Sequence, residues 1–195
     1  MSTLALFDFD GTITNKDSLL HFTGFANGKT ALYAGVIMLS PIMILNKAGF
    51  ISAQYTKNRF LRFFFRNWNT DEFKQLCKNY AATELKNIIR ENAIEKINWH
   101  KQQGHRVVIV SASPENYIQP WCEASGIECI ATKLLATHQS LKGVIDGLNC
   151  NAEEKKKRIE AVINIADYEE IYGYGDTKGD KAMFSLCTKT FYQYF

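Results

Sequence analysis

The chain has 195 residues, 46% of them hydrophobic and 22% charged, with a formal net charge of +3. That length suits one domain, or one core with a modest insertion, and buries enough apolar surface to fold without disulfides. The charge is too small to argue for a nucleic-acid partner. The five cysteines are scattered and contain no Cys-x-x-Cys pair, which argues against a disulfide framework and a structural zinc site.

Residues 3–9 form a short apolar run ending in acidic residues and Gly11, which reads as a buried strand that delivers Asp8 to its C-terminal edge. No basic region, apolar stretch and small-residue cleavage site precede it, so the expected location is the cytosol, with peripheral contact to the inner face of a membrane left open. Residues 18–90 then change character. They are rich in aromatics and helix formers, and the pattern predicts helices near 17–26, 30–45, 50–66 and 70–88. Asn69-Thr70-Asp71-Glu72 supplies helix-start residues, and Pro41 is expected to kink or end the second helix.

From about residue 92, helix and strand alternate. A helix near 92–102 stops at Gly104, and the β-branched run Arg106–Val110 reads as a strand leading into Ser111-Ala112-Ser113-Pro114. A helix near 114–125, a strand over 127–131, a hairpin flanked by Gly143 and Gly147, and a charged helix over about 152–165 follow. The chain closes with a strand at 170–174, a glycine-rich turn, a short helix at 179–187 and a strand near 189–193. Such alternation implies a parallel sheet covered by helices on both faces, with ligands bound beyond the C-terminal strand ends. Asp8/Asp10, Ser111/Ser113 and Asp176/Asp180 would then share one edge.

These residue types suit one another chemically. Asp8 and Asp10, spaced i, i+2 past a strand end, can face one pocket, where they either share a proton or take a cation between them. Magnesium fits, because it prefers hard oxygen ligands. Asp8 and Asp10 also read as a turn or helix cap, and so does Asp180. A hydroxyl and backbone amides at Ser111 would suit a phosphate oxygen, while Ser113, before Pro114, is the better helix cap. The run Lys155-Lys156-Lys157-Arg158 reads mostly as a solvated face, and spacing alone does not single out Lys155. His21, His100, His105 and His138 form no ligand cluster in the sequence.

The order acid pair, hydroxyl, lysine, acid pair on successive strand and helix ends resembles the haloacid dehalogenase superfamily over residues 3–14 and 92–195. Asp8-Phe9-Asp10-Gly11-Thr12 is similar to its first motif and Val107–Ser111 to its second. Asn149–Lys155 resembles the lysine motif of the phosphoserine-phosphatase-like branch, subfamily IB, and this is what singles out Lys155. Gly175-Asp176 with Asp180 resembles the fourth.

The resemblance implies a Rossmann-like three-layer α/β/α core, residues 1–14 and 91–195, with a mostly parallel sheet and an all-helical cap inserted at 15–90. It implies a phosphomonoester hydrolase that acts through an aspartyl phosphate on a small phosphorylated metabolite. Asp8 would be the nucleophile and Asp10 the general acid and base. Magnesium (Mg2+) would be held by Asp8, the Asp10 carbonyl and Asp176. Gly11, Thr12, Ser111, Ala112 and Lys155 would hold phosphate, with Asp180 behind them. A phospho-ligand binding protein without turnover is the reading from another class, and the intact acids and lysine weigh against it.

Asp17 stands where phosphoserine phosphatases carry a glutamate, and Arg59 or Arg62 could meet a substrate carboxylate. The Asp at 17 and the sequence Ser111-Ala112-Ser113-Pro114 depart from that enzyme's pattern and weigh against phosphoserine. Asp17 reads more readily as a helix cap than as a substrate contact. The apolar run Ala31–Leu45 and the basic, aromatic stretch Lys57–Arg66 suit an anionic membrane surface, the core of a helical cap, or a dimer interface. This arrangement also resembles bacterial phosphatidylglycerophosphate phosphatases, which keeps a membrane-associated lipid phosphatase as an alternative.

Overall fold

The computed structural model describes residues 2–195. The chain enters through β1 (Thr3–Phe7) and passes through four helices, α1 (Ser18–Asn27), α2 (Lys29–Lys47), α3 (Ala53–Phe65) and α4 (Thr70–Thr83). It then alternates: α5 (Glu91–Gln102), β2 (Arg106–Pro114), α6 (Glu115–Ser125), β3 (Glu128–Thr132), the pair β4 (Leu134–Ala136) and β5 (Leu141–Ile145), α7 (Glu153–Val162), β6 (Glu170–Gly175), α8 (Lys181–Phe184) and β7 (Lys189–Tyr192). Five strands form one sheet in the order β3-β2-β1-β6-β7, and every neighbouring pair in it is parallel.

Alternation along β1 sorts the core into two layers. Ala5 and Phe7 pack with Ala93 and Ile97 of α5 and with Tyr117, Ile118 and Cys122 of α6. Leu4 and Leu6 pack on the opposite face with Ile159 of α7 and Met183 of α8. The result is the three-layer, Rossmann-like α/β/α arrangement. From β1 the chain builds outward through β2 and β3, then returns to β1's other side with β6. The crevice beyond β1 is therefore the topological switch point at which such sheets bind ligands.

The segment between β1 and α5 is wholly helical apart from its turns and isolated bridges. Side chains cap its helices: Asp17 accepts from Leu20 N at 2.9 Å, Ser52 from Tyr55 N at 3.1 Å, and Asn69 from Asp71 N and Glu72 N. Phe22, Phe60, Phe64, Phe65, Phe73 and Tyr80 make its core. The basic, aromatic stretch is thus divided: these phenylalanines turn inward, while Arg59, Arg62 and Arg66 stay exposed.

Three sequence expectations shift. Helix α2 runs through Pro41 without ending. The ring leaves the carbonyl four residues back without its helical donor, and the Ser40 hydroxyl donates to that carbonyl, Ile37 O, at 2.8 Å. Gly143 lies inside β5 rather than beside the hairpin. It has φ +66° and backs onto the α3 backbone at Arg62, so a side chain there has no room. The charged helix ends at Val162, and a short 3-10 turn at Ile165–Asp167 follows. All five cysteines are free.

Candidate active site

The C-terminal ends of β1, β2 and β6 bring Asp8, Asp10, Ser111, Ser113, Asp176 and Asp180 to one edge, and the first turn of α7 adds Lys155. Lys155 is the one member of its lysine run that is buried, at 2% exposure. Its ammonium donates to Asp8 Oδ1 and, at 2.6 Å, to Asp180 Oδ1. Burial opposes its charge, but the two carboxylates outweigh that and hold Lys155 above the ordinary lysine range. The other Asp180 oxygen accepts from Asp176 N, Thr177 N and the Thr177 hydroxyl. Asp180 is therefore both a turn cap, closing a capping box with Thr177, and the brace behind Lys155.

Asp8 is buried, and the Thr12 hydroxyl donates to its Oδ2 at 3.4 Å. Burial pushes its carboxyl up to about 7 despite Lys155, and Asp180 and Asp10 add to the rise. Burial also raises Asp176, again with Asp180 contributing. Three acids thus crowd one lysine. The nearest oxygens of Asp8, Asp176 and Asp180 all lie within 4.8 Å of one another, and Asp176 Oδ1 is buried with no hydrogen-bond partner. An excess of carboxylate with an orphaned oxygen is what a hard divalent cation relieves, so the donor set fits magnesium. Asp180 already takes four donors on its two oxygens, Asp8 takes one on each of its own, and Asp176 Oδ1 takes none, so Asp176 and then Asp8 are the more available carboxylate ligands. Gly11 has φ +81° and a side chain there would run into the Asp176 carboxylate, so the loop can pass that close only with glycine.

Asp10 is held differently. Its Oδ1 accepts from Ser18 N and its Oδ2 from the Ser113 hydroxyl, each at 2.6 Å. Behind it Ser113 Oγ accepts from Ser18 Oγ at 3.2 Å, and Ser18 Oγ lies 3.1 Å from the Tyr117 hydroxyl. Ser111 Oγ accepts from Ser113 N at 3.0 Å, which shapes the loop; Ser111 itself is fully buried beneath Ala112 and Ser113, the residues of that loop that line the active-site cavity.

Above these groups lies a cavity of about 340 Å³. Its floor is polar: Asp8, Asp10, Ala112, Ser113, Asn151 and Lys155. Its roof comes from α1–α3 and is largely apolar, with Leu19, Leu20, Leu39, Ile42, Met43 and Phe60. Asp17 and Arg59 reach the cavity, Asp17 while it caps α1, whereas Arg62 is not among the lining residues.

The sequence reading missed Lys57, which it treated only as part of a basic stretch. Half-buried, it donates to Ala112 O at 2.6 Å and to Asn149 Oδ1 at 3.2 Å. Burial lowers its ammonium to about 8, against the pull of Asp10 and Asp17. No motif marked it. Its only signal is its place on α3, three residues before the buried Phe60, on the helix's inward edge.

A family model described as haloacid dehalogenase-like hydrolase matches residues 5–185. The protein CicA of Caulobacter vibrioides is 28% identical over 98% of this chain and 86% of its own length. A probable phosphatase of Mycobacterium tuberculosis is 26% identical over 93% of this chain and 65% of its own. Among solved structures, a Bordetella pertussis protein of unknown function superposes with a TM-score of 0.82 at 20% identity, covering 97% of this chain and 89% of that one. A substrate-bound phosphoserine phosphatase gives 0.71 at 18% identity, covering 98% and 86%.

Proposed function

The chain belongs to the haloacid dehalogenase-like hydrolases, and on that premise we propose that it is a phosphatase that hydrolyses a phosphomonoester through an acyl phosphate of Asp8. One observation carries the reading: Asp8 and Lys155 in contact within a cage of further acids, one of which, Asp176, keeps an oxygen without a partner. The probable phosphatase among the relatives supports the same chemistry.

A carboxylate oxygen of Asp8 attacks phosphorus as the bond to the alcohol oxygen breaks. Asp10, oriented by Ser18 N and Ser113, gives its proton to the departing oxygen. It then takes a proton from water, which attacks the phosphorus of the acyl phosphate and releases phosphate and free Asp8. Lys155, Ser111, Thr12 and the amides at Gly11 and Ala112 hold the phosphoryl oxygens. Asp180 keeps Lys155 in place throughout. Magnesium, held by Asp8, Asp176 and the Asp10 carbonyl, would offset the repulsion between Asp8 and the anionic substrate. The helical segment 15–90 acts as the cap, excluding water and selecting the alcohol.

The primary substrate reading is a small phosphorylated metabolite. The apolar part of the roof supports a second, a lipid phosphate whose alcohol carries a hydrocarbon body, because Leu39, Ile42, Met43 and Phe60 offer such a body an apolar wall. The test is release of phosphate from an aryl phosphate, with and without magnesium, by wild type and Asp8→Asn. Magnesium-dependent release that the variant loses is expected. No release from aryl, metabolite or lipid phosphates by the folded, magnesium-supplied protein would overturn the reading in favour of a phospho-ligand binder.

A further inference from the structure

Helix α2 has two unlike sides. Gly35, Leu39, Ile42 and Asn46 turn inward, with Gly35 against the rings of Phe63 and Phe64 and the other three at the active-site cavity. The opposite stripe has no cover: Ile37 is 73% exposed, Ile44 65% and Tyr33 64%, and Phe50 at the following turn is 79% exposed. A free apolar face of this extent in water marks a surface that meets something.

The charge around it says what. Between residues 18 and 70 the chain has six lysines and arginines and not one aspartate or glutamate. This stretch therefore carries +6, and since the whole chain carries +3, the remainder carries +3 − 6 = −3. Lys29 and Lys47 stand exposed at the two ends of α2, while Arg59 of α3, at the cavity, and Arg62 and Arg66, beside the β4–β5 hairpin, are exposed on neighbouring surface. Glu84 and Asp17 lie near the Lys29 end of α2, but the exposed stripe itself comes from a stretch without acids, and an apolar stripe with a lysine at each end is complementary to an anionic bilayer.

We propose that α2 docks in the plane of an anionic phospholipid surface, burying Ile37, Ile44 and Phe50 among the lipid chains while the flanking cations meet the headgroups. The helix is long and apolar enough to cross a membrane. Crossing would strip Leu39 and Ile42 from the cavity they wall, so the helix lies on the bilayer rather than through it. Docking requires no catalytic step and stands on the surface alone.

The full chain is floated with vesicles of phosphatidylcholine, and with vesicles that also contain phosphatidylglycerol. Flotation with the anionic vesicles only, weakened by salt, is expected. The Ile37→Glu/Ile44→Glu double variant should float at least tenfold less, with unchanged melting temperature and unchanged aryl-phosphate hydrolysis. Lys29→Gln/Lys47→Gln should float several-fold less. Wild type that ignores anionic vesicles, or floats no better than the double variant, overturns the proposal. A dimer in sedimentation that the double variant dissolves, without vesicle binding by wild type, overturns it in favour of a second copy of the chain. Failure of the aryl-phosphate test with intact flotation would strike the catalytic reading and leave this one standing.

Discussion

Lys57 of α3 donates a proton of its ammonium to the carbonyl of Ala112 near the end of β2, a 2.6 Å bond that joins the helical segment to the Ser111–Ser113 loop. Its second bond, to Asn149, reaches the loop that leads to Lys155. Lys57→Met should remove both. A charged hydrogen bond contributes roughly 1.5–3 kcal/mol, so kcat/KM is expected to fall by about ten- to a hundredfold, with Lys57→Arg recovering part of the loss. Steady-state kinetics alongside limited proteolysis of the 18–83 segment is the check. Unchanged kcat/KM would show that the bond is incidental.

The proton path at Asp10 gives a second expectation. Ser113→Ala removes a 2.6 Å donor to Asp10, and Tyr117→Phe removes the far end of the same chain. Ser113→Ala should lower kcat by about ten- to a hundredfold and Tyr117→Phe by about two- to fivefold. Alkyl phosphates should suffer more than aryl phosphates, because only a poor leaving group needs its proton. Equal losses for both substrate types would argue that the chain positions the backbone rather than Asp10.

Asp176 tests the cation site by a readout other than rate. Saturating magnesium, at a hundred times its dissociation constant, should stabilise wild type by about 2.7 kcal/mol. Asp176→Asn should shift the magnesium concentration needed for this to higher values by at least tenfold. Thermal melts across a magnesium titration report it, and an identical titration in the variant would remove Asp176 from the ligand set.

His100 sets an acid limit on stability. It is fully buried, with Nδ1 2.8 Å from His105 Nδ1 and Nε2 3.0 Å from the Tyr174 hydroxyl. Burial lowers it to about 3 from the usual 6.5. The folded protein therefore binds fewer protons here than the unfolded chain between those values. The stability this group contributes is present above pH 6.5 and is lost as pH falls toward 3. The slope is up to about 1.4 kcal/mol per pH unit. Denaturant melts across that range should show a shallower acid limb in His100→Gln.

The acids and Ser111 were legible because a parallel sheet sends every strand end to one edge, and a carboxylate at such an end is a strong chemical signal. Lys155 was not separable from Lys156 and Lys157 by charge. Its burial comes from the phase of α7 against the sheet, and only the resemblance to a lysine motif named it. Lys57 was harder still, since its partner is a backbone carbonyl and no residue type announces one. Whether Pro41 ends its helix was undecidable for a related reason: the rule about proline in helices is local, and the helix continues where the Ser40 hydroxyl answers the carbonyl that the ring frees. The pairing of His100 with His105 likewise depends on the turn after α5, which folds the chain back on itself.

The β4–β5 hairpin closes against the helical segment through backbone bonds from Asn67 N to Leu141 O, Leu141 N to Trp68 O and Thr70 N to Gln139 O. Asn58 adds a bond to Ile145 N, and Gln54 reaches Gly147 O and Asn149 N. The roof and the hairpin are therefore geared. Any lift of α3 must draw the hairpin with it and put tension on residues 146–152, the tether of Lys155. Lys155 thus hangs from the roof as well as from the sheet, so a substitution that loosens the seam between α3 and the hairpin would be felt at Asp8 without touching any residue beside it.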